Sequence, residues 1–321
     1  MMMKKLIPGS GLEASCLCLG TAWFGSTMDE KASFALMDAF VEQGGNFLDT
    51  AHSYADWVKG LEGQCVSEKT IGAWMKARKN RDSVIVGTKG GWVNPKTRKL
   101  MSSREELTAQ LESSRSALQT GCIDLYWLHY DNPAYPVAHF IDFLNEQVDA
   151  GKIRCFACSN WPVARIREAN DYALAHGLRT FVANQLWWSL AAPDLVAYGD
   201  PTVVGMDAGG MAFHRSTGMA AMAYSPQGKG FFNKLDERGL DGIDAFQRKI
   251  FATPANIARL PRIKEVAAQA GASIAQVLVA HLLSQSFPAF PIIGASSREQ
   301  LLDSVKAVDV KLTPDMVRRL E

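Results

Sequence analysis

The sequence has little of what would mark a polyanion-binding, membrane-spanning or cross-linked protein. Charge of one sign is missing, since 34 Lys and Arg stand against 33 Asp and Glu in 321 residues, a formal net charge of +1. Nucleic-acid binders draw their affinity from concentrated positive charge, so that class is set aside. No apolar run approaches the roughly 18–20 residues that a membrane-spanning helix needs. The start, Met1-Met2-Met3-Lys4-Lys5-Leu6-Ile7-Pro8-Gly9, carries charge but no long apolar stretch behind it, so no secretory leader is expected. Six cysteines are too few for a disulfide scaffold in a chain of this length. Cys155-Phe-Ala-Cys158 has the spacing of a redox or zinc pair, but no second such pair accompanies it. In an extended strand, moreover, residues i and i+3 face opposite sides. Cys16, Cys18, Cys155 and Cys158 therefore read as small buried hydrophobes, in a protein of the reducing cytoplasm.

Several catalytic signatures are absent as well. There is no G-x-x-x-x-G-K-[S/T], no H-E-x-x-H and no G-x-S-x-G, so P-loop transfer, zincin chemistry and the commonest serine-hydrolase plan lose support. Gly9-Ser10-Gly11-Leu12-Glu13-Ala14 has the form G-x-G-x-x-A. It lies ahead of the first strand and no helix follows it, so it fails as a dinucleotide loop.

What is present is alternation. Hydrophobic residues make up 47% of the chain and charged residues 21%, an ordinary globular balance. Eight apolar runs read as strands, at 15–21, 46–51, 83–90, 123–130, 155–160, 181–189, 219–227 and 287–295. They are continuously apolar, as expected for a parallel sheet buried on both faces. Helical periodicity fills the intervals at 30–43, 67–79, 103–118, 137–150, 163–175, 257–270 and 274–284. Gly44-Gly45 stops the first of these and Ser67 is a plausible cap for the second. With no linker or low-complexity tract, the pattern predicts an α/β fold, a (β/α)8 TIM barrel forming a single domain over 1–321. A doubly wound sheet is the alternative.

In such a barrel the chemistry lies at the C-terminal ends of the strands and in the loops that follow. The second strand ends in Asp49, the third in Lys89 and the fourth in His129, and the loop after the second begins His52-Ser53-Tyr54. Singly, each has a plain structural reading. A strand-end Asp caps turns, a Lys snorkels, a His satisfies itself in a core, and a Tyr packs. The ordered set Asp49, Tyr54, Lys89 and His129 on three consecutive strands is much harder to dismiss.

At this point the chain resembles the aldo-keto reductase superfamily over nearly its whole length. The anchors are Asn46-Phe-Leu-Asp49-Thr-Ala-His-Ser-Tyr54, Ser67-Glu-Lys-Thr-Ile-Gly72, Val86-Gly-Thr-Lys89, Leu125-Tyr-Trp-Leu-His129, Cys158-Ser159-Asn160, Asn184-Gln185, Ala223-Tyr-Ser-Pro226 and Pro291-Ile-Ile-Gly294. The resemblance implies that Tyr54 is the general acid/base, with Asp49, Lys89 and His129 completing a tetrad. A phenol with pKa near 10 is a weak donor to a neutral ketone. Moving it toward neutrality takes about three pKa units, roughly 4 kcal/mol. An ammonium about 4 Å away at an effective dielectric near 20 supplies an energy of that size. Lys89 is expected to acidify Tyr54 in this way, with Asp49 keeping the lysine charged and His129 orienting the carbonyl.

The same resemblance implies a nicotinamide dinucleotide bound across the barrel. Gly20 and Thr21 would line its nicotinamide end, and Ser159, Asn160 and Gln185 would hold the carboxamide, with Asp49 nearby and Tyr224 stacked on the ring. Ser225, Pro226, Gln227, Gly228 and Gly230 would form the loop over the pyrophosphate. Gly294, Ser296, Arg298 and Gln300 resemble a 2′-phosphate site, with Ser304 near the adenine, so NADP(H) is preferred over NAD(H). The sequence departs from the family pattern at Ala55, where a glycine usually follows the catalytic tyrosine, and at Ser304, where an asparagine is usual.

Trp23, Trp57, Trp92 and Tyr130 follow strand ends and would wall a pocket for a small carbonyl or alcohol substrate, sugar-derived or cyclic, with His52 and Asp56 adding polar contacts. Trp187 and Trp188 cannot both face that pocket from one strand. Neither nucleic acid nor membrane is expected as a partner, and the oligomeric state is left open. Two other readings stand beside the reductase. One is a Schiff-base aldolase or lyase using Lys89. The other is a cofactor-binding regulatory protein without turnover.

Overall fold

A strand that is apolar on both faces needs helices on one side and close-packed side chains on the other. Eight such strands meet both needs by closing on themselves. A computed structural model describes residues 2–94, 96–97 and 99–321. The chain begins with an antiparallel hairpin of β1 (Lys4–Ile7) and β2 (Leu12–Ser15), Lys4 opposite Ser15. Eight parallel strands follow: β3 (Cys18–Gly20), β4 (Phe47–Asp49), β5 (Ile85–Gly90), β6 (Ile123–Leu128), β7 (Ile153–Ser159), β8 (Ala183–Trp187), β9 (Ala220–Tyr224) and β10 (Ala289–Ile293). They pair in chain order, and β10 returns to β3 to close the barrel. This is the (β/α)8 architecture expected from the sequence.

Alternation along each strand divides the core. Cys18, Phe47, Ile85, Leu125, Trp127, Cys155, Ala157, Met222 and Phe290 meet inside the barrel. Leu48, Val86, Tyr126, Leu128, Phe156 and Cys158 face the surrounding helices. Gly87 makes room for the large indole of Trp127, because a Cβ there would stand 2.8 Å from its Nε1. Cys155 and Cys158 therefore lie on opposite faces of β7, and all six cysteines are free. Among the described residues no group of three His, Cys, Asp or Glu is placed to hold a metal ion. Trp187 and Trp188 also diverge, Trp187 toward Tyr224 and Phe251 and Trp188 onto Phe287.

The seven helical stretches read from the sequence form as Glu30–Glu42, Val66–Arg78, Arg104–Ala117, Val137–Asp149, Val163–Ala175, Pro254–Ala270 and Ile274–Leu283. Ser67 is not a cap. Helix Val66–Arg78 starts one residue earlier, after Cys65 in a left-handed conformation, and has no side-chain cap. Among the described residues, no single helix is long and apolar enough to cross a membrane. The hairpin was not expected. Its turn is the Gly9-Ser10-Gly11 segment, with both glycines at positive φ (76° and 70°). Ile7, Leu12 and Ala14 plug the barrel interior, and Asn46, just before β4, receives the Ser15 N–H at 2.6 Å and donates to Glu13 O. The G-x-G spacing thus serves a tight turn at the closed end of the barrel.

One packing contact gives a direct test. Gly90 ends β5, and a Cβ there would stand 2.0 Å from the Tyr126 hydroxyl oxygen and 3.0 Å from its Cζ. Gly90→Ala is expected to cost about 1–3 kcal/mol by overpacking. The Tyr126 hydroxyl is buried with no hydrogen-bond partner among the described residues, so Tyr126→Phe should be near neutral. Urea unfolding of the double variant should show part of the loss recovered. An equal cost of Gly90→Ala in both backgrounds would refute the assigned clash.

Candidate active site

Period-two alternation carries Asp49, Lys89 and Gln185 into the barrel's upper interior from β4, β5 and β8. Lys89 Nζ, only 1% exposed, donates to Asp49 Oδ2 at 2.6 Å, to Thr50 O at 2.7 Å and to Tyr54 Oη at 2.9 Å. Three ammonium protons thus meet three acceptors. Gln185 Nε2 reaches across the barrel to Asp49 Oδ1 at 2.9 Å, so both carboxylate oxygens are engaged. Tyr54 Oη donates to Asp49 Oδ2 at 3.3 Å. His129 follows β6, stacks on Tyr130 (4.6 Å between centroids, 13° between planes) and meets the Tyr54 ring edge-on at 6.4 Å. Its Nδ1 is buried without a hydrogen-bond partner among the described residues.

The loop that presents Tyr54 is bent against its own preference. Ala55 is buried with φ of 76°, a conformation that costs a non-glycine residue about 1–2 kcal/mol. A glycine would accept this geometry freely. The turn is tied by Tyr54 N–H to Ala51 O at 3.1 Å, Val58 N–H to Ala55 O at 2.9 Å and Gly63 N–H to Asp56 Oδ1 at 2.8 Å. Trp57 and Trp23, about half exposed, meet edge to face at 5.5 Å, and Trp57 lies 6.1 Å from the Tyr54 ring. Trp92 lies against His52 at 6.2 Å.

The electrostatics differ from the expectation that Lys89 acidifies the phenol. Burial pushes Tyr54 well above the ordinary value of 10, and the neighbouring Asp49 charge pushes the same way. Burial lowers Lys89 from 10.5, although Asp49 opposes that shift. The physical reason is burial first and distance second. Asp49 neutralises the ammonium from 2.6 Å while lying only 3.3 Å from the phenol, so Tyr54 faces an ion pair rather than a net cation. The phenol is held protonated. His129 is driven well below 6.5 by burial and then by Lys89, so its imidazole is neutral.

The remaining sequence candidates fall into three groups. Asn160, at φ 56° after β7, donates to His129 O and Ser159 Oγ at 3.2 Å each and accepts from Tyr224 Oη at 2.8 Å. Ser159, Asn160 and Tyr224 thus form one linked set beside His129. Gly20 lies 3.0 Å, by its would-be Cβ, from Ile292, and Thr21 Oγ1 donates to Asp49 O at 2.9 Å. The second group is the loop after β9, where Ser225, Gly228, Lys229 and Gly230 all have positive φ and Pro226 is buried. Gly228 is packed so closely that a Cβ would stand 2.5 Å from that of Ala191. The helix Phe231–Arg238 that follows has no side-chain cap, which leaves its first N–H groups unused by the chain's own side chains.

The third group lies after β10. Gly294 has open space around it, and Gln300 Oε1 accepts from Ser296 N and Oγ at 2.9 and 2.8 Å. Ser304 is buried under Gln227, whose Nε2 donates to it at 3.2 Å. Arg298 is turned to Glu42 at 2.7 Å, so the expected phosphate cluster is not preassembled around its guanidinium. Sequence reasoning missed Thr50, whose backbone carbonyl holds Lys89. A backbone acceptor carries no side-chain signature, and only the register of β4 against β5 could have indicated it.

With this geometry in view, the decisive comparison is a family-level one. The model of the Aldo/keto reductase family matches residues 16–321. The chain belongs to that family. It is therefore an oxidoreductase built on the family's barrel. Norsolorinic acid reductase B of Dothistroma septosporum is 30% identical, the alignment covering all of this chain and 81% of that protein. An aryl-alcohol dehydrogenase [NADP(+)] of Phanerodontia chrysosporium is 30% identical over 99% of this chain and 84% of its own length. Among solved structures, a thermostable aldo-keto reductase in complex with the inhibitor epalrestat superposes with a TM-score of 0.74 at 23% identity, covering 99% of this chain and 98% of that one. At that identity the last comparison speaks to the fold.

Two titrations check the electrostatics of this aldo/keto reductase. Tyr54 should release no proton up to its ordinary value near 10, so the phenolate absorbance difference between wild type and Tyr54→Phe stays flat through neutral pH. A phenolate signal near neutrality would contradict the arrangement. Glu68 is buried behind the site and pushed by burial from 4.5 up to about 7. Its native value exceeds its unfolded value, so the protein loses stability as pH rises from 4.5 to 7. Glu68→Gln should then be more stable than wild type above pH 7 and lose that advantage below 4.5, as read by urea unfolding across pH.

Proposed function

We propose that the protein interconverts a carbonyl compound and its alcohol with NADP(H), and that its substrates are cyclic, aromatic ahead of sugar-derived. The observation that carries this reading is the junction of Lys89, Asp49 and a protonated Tyr54 beneath a rim of indoles. The bound nicotinamide supplies or takes up a hydride. The chain's own residues manage the proton and the polarity. Tyr54 gives its proton to the carbonyl oxygen, and the phenolate it becomes rests 2.9 Å from the Lys89 ammonium, a charge-assisted contact that strengthens as the proton leaves. In the reverse direction the same phenolate is the base. Neutral His129 orients the oxygen by a hydrogen bond. Half-exposed Trp23 and Trp57 offer flat apolar faces beside Tyr54, which favours ring substrates.

The donor set fits the dinucleotide. The uncapped helix behind Gly228–Gly230 and the neighbouring Lys229 suit a pyrophosphate. Ser296, Gln300 and Arg298 suit a 2′-phosphate. The Arg298–Glu42 pair is half exposed and worth at most about 1 kcal/mol, so a dianion can draw the guanidinium away. The NADP(+) in the name of one relative supports the same preference. The aldolase reading is disfavoured, because a Schiff-base lysine needs a free, approachable amine, whereas Lys89 is buried with all three protons engaged.

A screen of aryl aldehydes, cyclic ketones and sugars with NADPH and NADH tests the proposal. Tyr54→Phe should lower kcat by about 10²–10⁴-fold while NADPH still quenches tryptophan fluorescence. Lys89→Met should lower kcat comparably and also cost about 3–5 kcal/mol of stability, because Asp49 is left buried and uncompensated. Turnover that survives in Tyr54→Phe overturns the mechanism. Binding of NADPH without turnover of any carbonyl would identify a cofactor-holding regulatory protein instead.

A further inference from the structure

Two consecutive residues of helix Val66–Arg78 have no part in the chemistry above, yet both are completely buried: Ser67 and Glu68. Their helix is pressed against its neighbour so tightly that a Cβ on Gly72 would stand 2.4 Å from Ala117 O. From its first turn, Ser67 and Glu68 reach Thr21, Thr50 and Thr88 at the upper ends of β3, β4 and β5.

Ser67 faces a set of hydroxyls. Thr50 Oγ1 donates to Ser67 Oγ at 2.9 Å, Ser67 Oγ and Thr21 Oγ1 lie 2.8 Å apart, and Thr21 Oγ1 donates to Asp49 O at 2.9 Å. Ser67 Oγ also donates to the Thr21 backbone carbonyl at 2.8 Å, so Thr50 gives its hydroxyl proton to Ser67, Ser67 gives its single proton to Thr21, and Thr21 gives its own to the Asp49 carbonyl. The two ends of this chain are the residue that carries the catalytic carboxylate and the residue whose carbonyl receives the Lys89 ammonium. Glu68 does the same on the next strand. Its Oε1 accepts from Thr88 Oγ1 at 2.5 Å, and Thr88 precedes Lys89 with its side chain on the opposite face of β5. Fixing Thr88 outward fixes the direction in which Lys89 leaves the strand inward.

We propose that Ser67 and Glu68 are positioning residues that hold the Lys89 ammonium in register between the Asp49 carboxylate and the Tyr54 phenol. The ion pair is made between two strands, and its 2.6 Å contact requires those strands to keep their offset. One helical turn clamps both strands from outside, through the residue after Asp49 and the residue before Lys89. This deepens the reductase reading and rests on it for its kinetic consequences, while the mechanical claim stands on the ion pair alone.

The test uses the whole protein. Ser67→Ala and Glu68→Leu should each lower kcat by about ten- to a hundredfold, as a displaced catalytic group does, with KM moved by less than about threefold. Glu68→Gln keeps the acceptor for Thr88 and should hold kcat within about twofold of wild type. In a Lys89→Met background neither Ser67→Ala nor Glu68→Leu should slow the residual rate further, because their effect passes through the lysine. Losses that multiply in that background, or Glu68→Gln as damaging as Glu68→Leu, overturn the proposal. A second arm needs no turnover. The coupling between Asp49→Asn and Lys89→Met in urea unfolding should fall by more than about half when Ser67→Ala is present. An unchanged coupling shows that Ser67 only stabilises its helix, and overturns the claim. If wild type reduces no carbonyl, the reductase reading fails while the unfolding arm still decides the positioning one.

Discussion

The structure depends on a lysine and an aspartate buried together. Taking both charges out of water is costly, and their attraction repays the cost only if every remaining donor and acceptor is matched. Here the match is complete on both partners: Lys89 serves Asp49, Thr50 and Tyr54, and Asp49 also receives Gln185. The pair therefore imposes a requirement on four separate pieces of chain, β4, β5, β8 and the loop carrying Tyr54. A closed barrel brings those pieces to one axis, and the hairpin at the opposite end seals the apolar interior beneath it.

The same pair shapes the acid–base chemistry by what it withholds. A lone ammonium would pull the phenol down, but burial, together with an ammonium answered by a carboxylate at 2.6 Å, leaves it high and protonated. In the proposed mechanism the positive partner becomes important only once the proton has moved, when a phenolate forms beside it. Stabilisation in that mechanism is kept for the charge that develops during reaction, which is the condition for speeding the chemical step. Neutral His129 fits this scheme, since a second cation would compete with the first.

Much of this was legible in the sequence, for identifiable reasons. The eight strands showed as unbroken apolar runs because parallel strands are covered on both faces. Asp49 and Lys89 stood out as polar residues ending such runs. The hairpin was hidden because Lys4, Lys5 and Glu13 interrupt its apolar face and its glycines resembled a failed nucleotide loop. Helix Ala208–Thr217 was hidden by Gly209 and Gly210 in its first turn, where Asp207 supplies the cap. The protonation of Tyr54 could not be read at all, since it follows from burial of its hydroxyl and from the 3.3 Å separation from Asp49, and not from residue types. Nor could the Arg298–Glu42 pair, whose partners lie 256 residues apart.

Ala55 carries a separate consequence. Its left-handed conformation is one that alanine avoids in isolation, so the bend behind Tyr54 is imposed by the surrounding fold rather than nucleated locally. The position of the Tyr54 hydroxyl is therefore inherited from contacts made elsewhere in the fold. A substitution that loosens the Asp56–Gly63 tie or the Val58–Ala55 turn would reach that hydroxyl without touching it.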